Sequence, residues 1–356
     1  MEKITGLFII IIGAGVFIYL LPFLSPFFGV DFVNLSETSD SASGQVIFLS
    51  NAIGENEPAF WHSSLKPDIF EIQNSPFDSS VLYAAASRGI FISRDSGKNW
   101  YDWSDLEKKI DGAAVYKIVF DKNAGGRAFV AALKNNRGYV YETKDNFFSL
   151  NLIFDSVNEA VYGLELVNGG LLIGLSDGRV LSYSLERKEF RLLVNFDSAI
   201  YNIKSANSHL YITTKSNGVF VRAGGSASSP QGVFDKFTPL ANGTISGESL
   251  KSIAVEEKTG VPIYTASLAN AFSSFNQGFS WNGVQTVLAS RDTIDSIFLS
   301  PLKELYLASG AKLYRSRDSG KSWQVYFSLD EKLKRRISSV YFGENGKIII
   351  GTKGFL

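Results

Sequence analysis

From residue 69 onward apolar and polar positions alternate over short stretches with a period of two, so the bulk of the chain is predicted as strands. The clearest unit begins with Ile69 to Gln73, runs through the apolar stretch Val81 to Ala86, turns at Gly89 into Ile90-Phe91-Ile92, and closes at Trp100 to Trp103. Similar starts recur at Val115 to Phe120, Val161 to Leu166, Ile200 to Ser205, Leu250 to Val255, Ile294 to Leu299 and Ile337 to Phe342, which makes seven. The last unit stops after two strands, at Lys347 to Gly351, while Gly44 to Ser50 and Ala59 to Ser63 look like two strands without an inner pair. One unit shared by both chain ends is therefore expected, with strands near Val46 to Ser50 and Phe60 to His62 as its outer half; it would remove the open sheet edges.

One segment breaks the pattern. Leu7 to Phe28 is apolar or small throughout, and its 22 residues can cross a hydrocarbon layer of about 30 Å as a helix. It exceeds the apolar stretch of a cleaved signal peptide, so residues 1–30 are expected to be an uncleaved transmembrane anchor. Lys3 precedes it, Asp31, Glu37 and Asp40 follow, and no Lys or Arg appears until Lys66, which places the N-terminus in the cytoplasm and the rest outside the cell membrane. Residues 31–44, rich in Ser, Thr, Asp and Glu, read as a flexible linker, and residues 45–356 as the folded domain.

A second, longer period lies over the strands. Ser93-Arg94-Asp95-Ser96-Gly97-Lys98-Asn99-Trp100 returns as Ser316-Arg317-Asp318-Ser319-Gly320-Lys321-Ser322-Trp323 with one change. Ser274, Asn276, Gly278 and Trp281 keep the same spacing, and a further copy is worn down to Thr143 and Asp145, with Phe147 and Leu150 where Gly and Trp would stand. Asp318 lies 223 residues after Asp95, five periods of about 45, which is the length of a four-stranded propeller blade. The fold class is all-β: a seven-bladed β-propeller, with six or eight blades as the range, behind the N-terminal helix.

Composition narrows the chemistry. With 45% apolar residues the domain can bury a core, and 35 basic residues against 35 acidic ones argue against a nucleic-acid partner. The absence of cysteine removes disulfides, thiolate catalysis and zinc-thiolate sites; His62 and His209, far apart in sequence, leave little for a histidine metal site or a Ser-His-Asp arrangement. No metal, cofactor or catalytic residue is expected.

The repeated octamer resembles the Asp-box, Ser/Thr-x-Asp-x-Gly-x-x-Trp, of BNR-repeat propellers, from about Gln45 to the C-terminus. The resemblance implies a place in the hairpin between the third and fourth strands of a blade. The residue types suit a structural turn: Asp95 and Asp318 accept backbone N–H groups, Gly97 and Gly320 permit positive φ, and Trp100 and Trp323 bury rings between blades. Sialidases of this family carry an Arg-Ile-Pro motif, which this chain lacks, and Asp121, Asp177, Asp197 and Asp292 fall where turns place solvated carboxylates. Noncatalytic relatives include sortilin-type receptor propellers and photosystem II assembly or stability factors, which implies a protein partner; an exported propeller that binds or hydrolyses glycans is the alternative.

The turns between second and third strands lie on the face opposite the boxes. They carry Arg88, Lys134 with Arg137, Arg179, Lys215, Lys312 and Lys353, an expected basic rim for a partner with acidic groups, among loop acids such as Asp105, Glu107, Asp155, Glu159, Asp292 and Asp330. Gly125-Gly126 and Gly169-Gly170 read as hairpin turns, Glu331 to Arg336 as a solvated loop, and Gly224 to Pro230 as a loop inserted in the fourth blade.

Overall fold

A computed structural model describes residues 46–49, 56–58, 60–61, 67–103, 106–167, 169–223, 238–239, 245, 248–343 and 346–354. The chain divides into units 1–40 and 41–356, and every described residue belongs to the second. The expected membrane segment, the linker, His62, Asp105 and the insertion at 224–230 lie outside the described residues. Among the described residues no helix is long and apolar enough to cross a membrane.

The described strands form seven sheets arranged as a β-propeller, antiparallel but for one added edge strand. Six use contiguous chain, within 69–103, 114–157, 161–195, 200–239, 252–284 and 296–328, and are numbered sheets 1 to 6. Sheet 7 joins the two chain ends. Its inner strands are Arg335–Phe342 and Ile348–Gly354, and Val46–Leu49 and Asn56–Pro58 complete it, with Val46 opposite Gly351, Leu49 opposite Ile348 and Ile47 opposite Pro58. The fourth strand of that sheet is thus Asn56–Pro58 rather than the expected Phe60 to His62. Phe60–Trp61 instead lies parallel to Asn99–Trp103 as a fifth strand of sheet 1, with Phe60 opposite Asn99 and Trp61 opposite Trp100. The outer strand of sheet 1 offers unpaired backbone groups, and the chain passes that edge before it enters the inner strand at Ile69.

Sheets packed face to face need strands that are apolar on both sides. Leu82–Ala86 and Gly170–Leu175 are buried along their whole length, and Ala84, Ala85 and Ala86 are fully buried. Seven apolar clusters fill the seven junctions between neighbouring sheets, the last of them joining Ile349 of sheet 7 to Ile69 and Trp100 of sheet 1. The innermost strands follow a different rule. Ile69 and Ile72, Val115 and Ile118, and Ile200 and Ile203 are buried with two half-buried residues between them, because the pairing slips by one between 69 and 71, 115 and 117, and 200 and 202. Such a bulge turns two successive side chains toward the central channel.

Candidate binding face and central channel

The four boxes are structural turns between third and fourth strands. In sheet 1 the Ser93 hydroxyl bonds Asp95 Oδ1 at 2.8 Å and accepts the Gly97 amide at 2.8 Å, while Asp95 Oδ1 accepts the Asn99 amide at 2.9 Å. Sheet 6 repeats the set with Ser316, Asp318, Gly320 and Ser322, and sheet 5 does so with Ser274, Asn276, Gly278 and Ser280. The worn copy in sheet 2 keeps every one of these bonds: Thr143 reaches Asp145 at 2.9 Å and accepts the Phe147 amide at 2.9 Å, and Asp145 accepts the Ser149 amide at 2.9 Å. Each box packs against the preceding sheet. Trp100 is fully buried there and Trp281 nearly so, whereas Trp323 is only half-buried, contrary to expectation, because its indole N–H turns to the Gln285 carbonyl at 2.9 Å on the rim of sheet 5. Hydrogen bonds from Ser322 and Ser316 hold the Asp318 carboxyl down at about 2. Burial alone would raise Asp95, yet the bonds from Asn99 and Ser93 hold it below its ordinary value.

On the opposite face the rim residues separate into two groups. Arg137 pairs with Asp155, and Arg179 with Asp177 at 2.5 Å, so these two are neutralised within their own sheets. Arg88, Lys215 and Lys312 are exposed, Lys134 and Lys353 half-buried. Lys353 stands opposite Arg336, level with the start of the innermost strand, and it lines the channel.

The channel itself is the feature that sequence reasoning missed. It encloses about 2250 Å³ and is lined by the innermost strands of all seven sheets. The residue directly after each strand's first buried apolar position sits near the mouth on the blade-joining face. In sheets 1 to 4 these residues are Phe70, Tyr116, Tyr162 and Tyr201, a continuous aromatic arc with successive ring centroids 5.1, 5.1 and 6.4 Å apart. In sheets 5 to 7 they are Lys251, Asp295 and Ser338. The mouth is therefore aromatic on one side and charged on the other. Asp295 is held by Arg336 at 2.9 Å and by the Gly310 amide at 2.8 Å. Burial, then the neighbouring Arg336 and Lys251, push the Lys353 ammonium below its usual value despite the pull of Asp295. Burial, and then the next ring in the arc, push the Tyr116 and Tyr162 hydroxyls up. An alignment of the seven strand starts would have found the arc, since each aromatic follows a buried Ile or Val.

Below the mouth, polar groups tie neighbouring inner strands together. Lys117 pairs with Glu71 at 2.7 Å, and Glu71 also accepts the Ile118 amide at 3.2 Å. Glu165 accepts the Ser205 amide and hydroxyl at 2.8 and 2.6 Å, and its charge raises the Lys204 ammonium. Ser252 accepts the Ile297 amide at 3.2 Å. These carboxylates are committed to bonds between sheets, which leaves them poor acid–base pairs. Among the described residues no three His, Asp or Glu side chains gather as metal ligands. Asn202 Oδ1 and Ser339 Oγ, both buried against the channel, have no protein partner among the described residues. His209 instead bonds the Asn207 carbonyl at 2.8 Å and is half-buried.

No protein-family model and no curated protein matches this sequence. Solved structures do resemble the fold. YCF48 from Cyanidioschyzon merolae shares 16% identity at a TM-score of 0.62, over 82% of this chain and 95% of its own. YCF48 bound to a D1 peptide gives 15% and 0.58, over 88% and 97%. The extracellular domain of the putative one-component system BT4673 from B. thetaiotaomicron gives 15% and 0.60, over 84% of this chain but only 39% of its own. At these identities the likeness establishes a common propeller fold.

Proposed function

We propose that this chain is a noncatalytic binding scaffold that receives a protein partner on the blade-joining face, tethered to a membrane by residues 7–28 with the propeller outside the cytoplasm. One observation carries the reading: the channel mouth sets four aromatic rings against the cations Lys251 and Lys353, a surface suited to a segment with apolar and acidic side chains. The bound peptide in one YCF48 structure supports peptide capture by a propeller of this shape. The exposed rim residues Arg88, Lys215 and Lys312 add long-range attraction, which governs on-rate more than affinity. With the shared sheet counted, the ring has seven blades. The test places a photo-crosslinker at Tyr201 or at Lys98 in the full chain. Capture of one partner from Tyr201, weakened at least tenfold by Lys251→Glu with Lys353→Glu and by salt, is the expected result. Capture from Lys98 alone would move the working surface to the box face.

A carbohydrate ligand is the second reading, favoured by the aromatic arc at the channel mouth, on which sugar rings can stack. Competition of partner capture by a soluble oligosaccharide would separate the two.

A further inference from the structure

The face opposite the channel mouth carries large apolar side chains that the fold does not use. Phe275 is 56% exposed, Phe279 65%, Leu302 78% and Phe77 53%. All four lie in turns that follow either a first or a third strand, and antiparallel pairing puts those turns at one end of every sheet.

The repeats within the chain serve as controls. The positions after the box Ser or Thr, and after the box Gly, hold Arg94 and Lys98 in sheet 1 and Arg317 and Lys321 in sheet 6. The same positions hold Lys144 and Phe148 in sheet 2, and Phe275 and Phe279 in sheet 5. Since one set of hydrogen bonds builds all four turns, the turn itself requires neither phenylalanine of sheet 5, whereas Phe148 packs edge-on against Trp103 at 5.4 Å. An apolar side chain on a solvated turn gains free energy only when something covers it.

The setting of these tips indicates what covers them. Leu302 adjoins Lys303, and Lys98 and Lys321 follow the glycines of the boxes in sheets 1 and 6, whereas Lys144 and Arg317 pair with Glu142 at 3.8 Å and Glu304 at 2.8 Å. The Phe275 ring lies 6.4 Å from Tyr264, whose hydroxyl meets Ser319 in the neighbouring box, between Arg317 and Lys321. Apolar tips interleaved with Lys and Arg match the interfacial layer of an anionic bilayer, where rings enter the acyl boundary and cations stay with the headgroup phosphates. Seventeen residues, 29–45, separate the apolar segment 7–28 from Val46, a length whose greatest possible reach is about 56 to 61 Å. Val46 enters sheet 7 at the blade-joining end, and the longest described strand, of eight residues, spans about 26 Å, which is less than that reach.

We propose that the box face rests on an anionic lipid surface, with Phe275, Phe279 and Leu302 entering the acyl boundary. Only the nearness of the bilayer rests on the membrane-anchored reading above. The chain has no cysteine, so single labels are clean. Full-length F279C and L302C, and K215C on the opposite face as control, carry an environment-sensitive fluorophore and are reconstituted in phosphatidylcholine vesicles with or without one third phosphatidylserine. Doxyl-labelled lipid should quench the labels at 279 and 302 several-fold more than the label at 215, with aqueous iodide giving the reverse order, and phosphatidylserine should increase the contrast. Phe275→Ser in the F279C chain should cut the lipid quenching several-fold. Equal quenching at 279 and 215 would overturn the proposal, as would iodide protection at 279 without lipid quenching, which assigns the tips to a protein. Alkaline carbonate extraction tests the anchor separately: a chain that washes off lacks it, while quenching on simple addition of vesicles still decides the face.

Discussion

The boxes of sheets 1 and 2 make the same turn with different residues. Sheet 1 has Gly97 at φ 93° and a fully buried Trp100; sheet 2 has Phe147 at φ 71° and buried Leu150. Both keep the hydroxyl-to-carboxylate bond and the amides gathered on it. What specifies the turn is thus the Ser/Thr and the Asp, whereas the Gly and the aromatic solve a packing problem at the preceding sheet. A Cβ on Gly97 would meet Ile349 Cδ1 at 2.4 Å, so sheet 7 leaves no room there. Sheet 1 presents Tyr83 instead, whose ring lies 4.8 Å from Phe147, and burial of the phenyl ring offsets the cost of a left-handed backbone.

The largest expected effect falls on the buried ring. Trp100→Ala should destabilise by about 3 to 5 kcal/mol in chemical denaturation, as large core aromatics do, and Trp323→Ala by clearly less because that ring is half in solvent. Equal losses would show that burial does not rank the boxes. Next come the crossed changes. Phe147→Gly removes about 1 kcal/mol of backbone strain but a whole buried ring, so a net loss of about 2 to 4 kcal/mol is expected, and Gly97→Ala should also destabilise, by about 1 to 3 kcal/mol. A stabilised Phe147→Gly chain would mean the ring is a tolerated accident. The smallest effect concerns protonation. The Asp318 carboxyl is lowered in the folded state, so its contribution is complete above about pH 4, the ordinary range of a free aspartate, and disappears as pH falls through about 2. Asn276 already builds the same turn in sheet 5, so Asp318→Asn should leave the denaturation midpoint near neutral pH almost unchanged and flatten part of its decline between about pH 4 and 2. An unchanged acid slope in that variant would place the titrating group elsewhere.

Much of this was legible in the chain because the repeat fixes both strand spacing and turn chemistry. The 45-residue period and the position of the boxes follow from Asp95, Asn276 and Asp318 alone. Phe60–Trp61 was assigned to the wrong sheet because two short strands in succession can add to either of two open edges, and only tertiary placement decides. The rim cations were visible as residue types, but pairing of Arg137 and Arg179 with nearby acids depends on side-chain direction across a hairpin. The aromatic arc escaped because its members are 39 to 46 residues apart in sequence and become neighbours only when the sheets pack around the channel.

Ring closure also has a timetable. Val46–Leu49 is made before its partner Ile348–Gly354, with the 298 residues from 50 to 347 synthesised between them. At about 5 to 20 residues per second, that is a wait of roughly 15 to 60 s. During it the first strand has only Asn56–Pro58 beside it, and six sheets stand as an open arc whose end faces are apolar. A chain that lacked residues 348–351 would lose the clasp that turns the arc into a ring. Closure of the ring therefore waits on the arrival of Ile348–Gly354, with Val46–Leu49 and Asn56–Pro58 as the latch that registers it.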